Sequence, residues 1–130
     1  MSCFYANVRS LVPKIDVLRI HAIDNNPSVI FLTETWAHDQ LPDSYFSISG
    51  YVLYRCDRSE RKGGGVMIYI KEDISSGCCK TMSCTEFDAI SCYFIDKSNS
   101  KIGLACIYRP PSICDKNEKL FDLFEFVFRT

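Results

Sequence analysis

The chain of 130 residues is long enough for one domain and too short for two of ordinary size. A hydrophobic share of 47% and a charged share of 24% exclude a disordered chain; a net charge of −1, from 15 basic and 16 acidic residues, excludes binding to nucleic acid or membrane by bulk charge alone. No apolar run approaches the roughly 20 residues of a membrane span, and the opening "MSCFYANVRSLVPK" lacks the apolar stretch of a signal peptide, so an intracellular setting, nuclear or cytoplasmic, is expected.

In chain order, "CFYANV" reads as a short first strand. Residues 11 to 26 carry Leu11, Ile15, Leu18 and Ala22 at helical steps, with Ser10 as N-cap and Pro13 in the first turn, and "NNP" at 25 to 27 ends the helix. "VIFLTETW" at 29 to 36 begins as a strand buried on both faces and then runs onto a carboxylate, Glu34, between two threonines. Burying an unpaired charge is costly, so Glu34 either surfaces or holds a cation. Strand, helix, strand in that order predicts a β-α-β unit with parallel or mixed pairing.

A polar loop, "AHDQLPDSYFSISG", leads to a strand at 51 to 55, and the charged loop "CDRSERKGGG" leads to another, in which Val66, Ile68 and Ile70 alternate with Met67, Tyr69 and Lys71. Residues 89 to 95 and 102 to 108 predict a hairpin around "DKSNSK". The chain closes with a predicted helix, Asp115 and Glu118 as a capping-box variant and Leu120, Phe124 and Val127 as its apolar face.

Eight cysteines without a C-x-x-C pair, several of them inside apolar runs, read as free thiols of a reducing compartment rather than a disulfide scaffold. Cys78, Cys79 and Cys84 fall in a loop-like stretch, and neither histidine stands at zinc-ligand spacing from them. The three glycines at 63 to 65 precede a strand rather than a helix, so they suit a tight turn or close backbone approach and not a phosphate-cradling loop. Arg55, Asp57, Arg58, Glu60, Arg61 and Lys62 read as a solvated loop or, alternatively, as a rim that meets backbone phosphates. His21 and His38 have no nucleophile partner in the sequence, and Trp36 reads as a core residue. Tyr108, before "RPP", is either a core aromatic with its hydroxyl at the surface or part of a site.

Asn7, Glu34 and Tyr108 each stand at a predicted strand end, the edge of an α/β sheet where sites are built. An amide, a carboxylate and a phenol there suit a magnesium-dependent phosphodiesterase, because Mg²⁺ takes hard oxygens and few carboxylates.

"YANVRSL", "VIFLTETW", "ISGYVLYRCDRSERKGGGVMIYI" and "IGLACIYRPPS" resemble, in that order, the endonuclease/exonuclease/phosphatase superfamily. They are most similar to the apurinic-like endonuclease domain of non-LTR (LINE-type) retrotransposons, over nearly the whole chain. The resemblance implies an α/β (α+β) fold, a four-layered α/β/β/α sandwich left incomplete here, with residues 1 to 130 forming a single, C-terminally truncated domain. It implies that Glu34 binds Mg²⁺ (or Mn²⁺), that Asn7 helps order the metal and phosphate, and that Tyr108 contacts the scissile phosphate. It implies DNA as the partner, with no membrane and no small-molecule cofactor. The family's Gly-Asp-x-Asn and Ser-Asp-His segments do not occur in these residues. Two readings follow: the first part of a DNA-nicking endonuclease, or a folded remnant without catalysis of its own.

Overall fold

The structure, a computed structural model, describes residues 1–58, 63–84, 86–110, 122–123 and 125–126. Strand β1 (Cys3–Asn7) pairs in parallel with β2 (Val29–Thr33), as the helix between them requires. Antiparallel to β2 runs β4 (Val66–Lys71), and antiparallel to β4 runs β3 (Tyr51–Cys56), which gives a four-stranded sheet ordered β1-β2-β4-β3. A second, three-stranded antiparallel sheet is ordered β5-β6-β7, from β5 (Ser75–Ser83), β6 (Asp88–Ile95) and β7 (Lys101–Tyr108). The β6–β7 hairpin turns through residues 96 to 100, where Asp96 accepts hydrogen bonds from the backbone of Ser98 and Ser100.

Helix α1 (Ile15–Asn25) starts later than the periodicity predicts. Pro13 lies in a preceding 3-10 turn, Val12–Lys14, and Lys14 stands at the N-cap without a side-chain cap bond. Ser10 is not the cap. Its φ of +82° turns the chain toward β2, and its amide donates to the Glu34 carbonyl at 2.9 Å. At the other end Asn26, at φ +49°, closes the helix with its amide on Ala22 O. The predicted apolar face is the buried one: Leu11, Ile15, Leu18 and Ala22 pack on Ile30, Leu32, Met67 and Tyr69. The long loop after β2 contributes a short helix, α2 (Asp43–Phe46), that sequence periodicity did not signal. It puts Phe46 into the same core, and Tyr69 Oη donates to the Phe46 carbonyl at 2.8 Å.

Strand β4 is buried on both faces because each faces a different core. Met67 and Tyr69 face the helix side, whereas Val66, Ile68 and Ile70 meet Ile90, Cys92 and Cys106 of the second sheet. Full burial of side chains of this size contributes roughly 1.5–3 kcal/mol each, so β4 is the anchor of both layers. On the outer face of the second sheet Phe87 and Ala89 pack with Leu123, and Phe126 leans on the same cluster. Residues 122–123 and 125–126 are helical, which supplies a fourth layer. The predicted caps Asp115 and Glu118 and the face residues Leu120, Phe124 and Val127 lie outside the described residues.

Strand β5 corrects the expectation of a loop around Cys78 and Cys79. Its Ser, Gly and Cys composition has weak strand propensity, and pairing with β6 overrides it, with a register shift between Ser75 and Cys79. Among the described residues Cys3, Cys56, Cys84 and Cys106 are free thiols. No helix among them is long and apolar enough to cross a membrane.

Candidate active site

Parallel pairing puts the C-terminal ends of β1 and β2 side by side, Asn7 opposite Thr33, with Glu34 the next residue. Antiparallel pairing brings the start of β4 and the end of β3 to the same edge, Val66 opposite both Thr33 and Cys56. At this edge the backbone leaves the ordinary regions. Glu34 and Trp36 have φ of +54° and +55°, and Arg9 and Ser10 in the loop after β1 are also left-handed. Such geometry is uncommon for residues with a Cβ and survives only where surroundings impose it.

Hydrogen bonds impose it from two sides. Ser10 N and Leu11 N donate to the carbonyls of Glu34 and Thr35, both at 2.9 Å. Thr35 N and Trp36 N donate to the carbonyls of Gly65 and Gly64, at 3.2 and 2.9 Å. The glycine turn can approach this closely because it has no side chains. A Cβ on Gly65 would fall 2.6 Å from Thr35 Oγ1, and Gly65 holds φ +85°.

The second sheet joins at Asp88, which opens β6 opposite Tyr108 at the end of β7. Asp88 is fully buried and accepts from Gly65 N at 3.0 Å, Ser83 Oγ at 2.6 Å, and Arg58 Nε and Nη2 at 3.3 Å. Arg58 lies against Gly64, where a Cβ would fall 2.3 Å from its Cζ, and that Cζ sits 5.7 Å from the Tyr108 ring centroid. Tyr108 is half-buried, and its hydroxyl lies within electrostatic reach of the Glu34 carboxylate. Burial first, then the charge of Glu34, hold the phenol above its ordinary range, with Arg58 pulling the other way.

The structure therefore places the three sequence-predicted residues at strand ends of both sheets, Asn7 and Glu34 on the first and Tyr108 on the second. Glu34 and Tyr108 are within electrostatic reach of each other, and Asn7 is an exposed residue at the adjoining strand end. Two expectations are overturned. Arg55, Asp57 and Arg58 are not a solvated loop: Arg55 pairs with Asp57 at 2.7 Å and Asp43 at 3.1 Å, and Arg58 with Asp88. Residues 59 to 62, including Glu60, Arg61 and Lys62, lie outside the described residues. Trp36 is not core; it is 44% exposed. His21 stacks on Phe4 with centroids 4.1 Å apart, a packing role. Sequence reasoning gives Arg58 only as part of a loop or rim, and it missed Thr35 and Asp88 at the site edge. One signal was there for Asp88, a carboxylate opening the apolar run "AISCYFI" just as Glu34 closes another.

Among the described residues no group of three or more His, Cys, Asp and Glu side chains gathers at one point. Glu34 and Asn7 offer one carboxylate and one amide oxygen at a shared edge. That donor set fits a hard divalent cation that keeps water and phosphate oxygens in its remaining positions.

No protein-family model matches the sequence, and no curated protein matches it. Solved structures do. The AP endonuclease LMAP from Leishmania major superposes with a TM-score of 0.66 at 18% identity, over 98% of this chain and 44% of that one. D. rerio TDP2 complexed with single strand DNA product gives 0.63 at 13% identity, over 96% and 53%. The human Nocturnin catalytic domain with bound sulfate anion gives 0.64 at 12% identity, over 97% and 58%. The fold is of the endonuclease/exonuclease/phosphatase type, and the chain spans about half the length of these proteins.

Proposed function

We propose that this chain is the N-terminal portion of a Mg²⁺- or Mn²⁺-dependent phosphodiesterase, a DNA-nicking endonuclease of the kind non-LTR retrotransposons encode. The observation that carries the reading is Glu34, held at φ +54° beyond a buried strand with the Tyr108 hydroxyl within electrostatic reach of its carboxylate. A carboxylate kept in that backbone has a task beyond stability. Glu34 and Asn7 would hold the cation, which when bound supplies Lewis-acid polarisation of a phosphoryl oxygen. Tyr108 remains protonated at neutral pH because burial and Glu34 oppose its ionisation, so its hydroxyl is available as a donor to a phosphate oxygen. Asn7, with both a donor and an acceptor on its amide, would orient that phosphate. The retrotransposon link rests on the four sequence strings and their order. DNA as substrate draws support from the fold, which TDP2 in complex with a single-strand DNA product also has.

In this reading residues 1–130 do not turn over without two further segments. The segments that would position and deprotonate the attacking water, Gly-Asp-x-Asn and Ser-Asp-His, are not in the sequence. General acid–base help is typically worth 10²–10⁴-fold. The test is nicking of supercoiled plasmid in Mg²⁺. The given chain should stay at background, and a chain extended through both segments should nick, with Glu34→Ala abolishing it. An extended chain that carries both segments, folds and does not nick would overturn the proposal. Metal-dependent nicking by the given chain would instead remove the claim that it needs them.

A further inference from the structure

Trp36 is two residues beyond Glu34 and is the only tryptophan of the chain. It keeps 44% exposure and sits at φ +55°. A large aromatic that is both exposed and left-handed adds nothing to the core and carries backbone strain. Its position is nonetheless fixed. The backbone amide donates to Gly64 O at 2.9 Å, and a Cβ on Gly63 would lie 3.8 Å from the indole Nε1. Ala37 turns back into the core, and the next exposed residues, His38, Asp39 and Gln40, are polar. On the other side of Glu34, the loop of Arg9 is hydrogen-bonded to the loop of Trp36 through Ser10 N and Leu11 N. Arg9 is exposed and has no ion pair among the described residues.

An aromatic on a hydrogen-bonded loop, and a cation without an ion pair among the described residues on the loop bonded to it, match the parts of a nucleotide, a ring to stack and a phosphate to pair. We propose that Trp36 is a stacking platform for a nucleobase next to the phosphodiester held at Glu34. This rests on the phosphodiesterase reading above. The base must come from an unpaired strand, because a base within a duplex does not offer its face.

A single tryptophan makes the test direct. Two single strands of equal length are used, one of mixed sequence and one of abasic units that keep the phosphates and lose the bases. Fluorescence anisotropy of end-labelled strands reads binding, and Trp36 emission reads stacking, both without divalent ion so that no cleavage intervenes. The mixed strand should bind and quench Trp36, and the abasic strand should bind more weakly without quenching. Trp36→Ala should weaken binding of the mixed strand about 5- to 150-fold, the range for one stacked base, and Trp36→Phe, which keeps a ring, should lose less. Neither change should alter the abasic strand's affinity. Binding of the mixed strand without quenching, and with equal affinity in Trp36→Ala, overturns this inference and leaves the phosphodiesterase reading intact. Absence of binding by either strand also overturns this inference, whereas the phosphodiesterase reading stands or falls on the plasmid test.

Discussion

Replacing Asp88 with alanine should be among the most damaging single changes in the chain. Asp88 is fully buried, and its carboxylate receives the Gly65 amide, the Ser83 hydroxyl and the Arg58 guanidinium. Two of these partners come from the first sheet's end and one from the second sheet, so this carboxylate ties the layers together at the site edge. The side chain of Arg58 is only 9% exposed and lies against Gly64, so it cannot swing out to water without moving the glycine turn. Alanine at 88 strands that buried cation, and breaking a buried pair from one side costs about 3–5 kcal/mol. A chain of this size has roughly 6–20 kcal/mol in total. With an m-value near 2 kcal/mol/M, the urea midpoint should fall by about 1.5–2.5 M. The double variant Arg58→Met, Asp88→Leu removes both charges and should regain most of the loss, because well-packed apolar replacements for a buried pair are often neutral. A loss under about 1 kcal/mol in Asp88→Ala, or a double variant as damaged as the sum of the singles, would refute the assignment of this pair as the inter-sheet tie.

Ser10→Gly should stabilise by about 0.5–1 kcal/mol in urea melts, since Ser10 is held at φ +82° and glycine has no left-handed penalty to set against its larger unfolded entropy. Alkaline pH should destabilise the fold. Burial first, then the Asp88 charge, pushes the Cys56 thiol up to about 11, and burial pushes Cys106 up to about 12, against about 9 in the unfolded chain. Raised folded values mean the contribution is complete below pH 9 and is lost as pH rises through the folded values. The slope should be at most about 1.4 kcal/mol per pH unit for each thiol, and a flat profile from pH 9 to 11 would contradict the burial of both. Denatured protein alkylated without reductant should yield all eight thiols, and in the native state Cys3 should react well before Cys56, Cys92 and Cys106.

Much of the fold was legible because its strongest signals are periodic. The helical steps of Leu11, Ile15, Leu18 and Ala22 and the alternation from Val66 to Lys71 survive folding because one core takes each set of side chains. β5 was not legible: nothing in its composition favours a strand, and β6 supplies the pairing. The loop charges were misread for a related reason. Arg55 and Arg58 are local to their strand end in sequence, but Asp43 and Asp88 come from other elements, and partners that distant leave no spacing to read. Glu34 was legible as an anomaly, a carboxylate at the end of a buried run. The φ that makes it strained depends on carbonyls from the turn at 63 to 65 and is invisible locally. Trp36 was misplaced in the core because its size argues for burial and nothing in the sequence says that its backbone is turned outward.

The left-handed residues among those described fall into two groups. Among the described residues, the positive-φ positions away from the site edge are Asn26, Gly50 and Asn99, residue types that adopt that backbone at little cost and serve as a helix cap and turns. At the site edge, beside the glycines at 63 to 65, the same backbone is imposed on Arg9, Ser10, Glu34 and Trp36. Each non-glycine residue held there costs roughly 1–3 kcal/mol, a large share of what a domain this small can spare. Stability alone would have placed glycine or asparagine at these positions, as it did at the others. What a glycine would discard is a cation, a hydroxyl, a carboxylate and an indole, all on two hydrogen-bonded loops at one sheet edge. The positive-φ residues with a Cβ thus gather on the loops that carry Glu34, the carboxylate the proposed function uses.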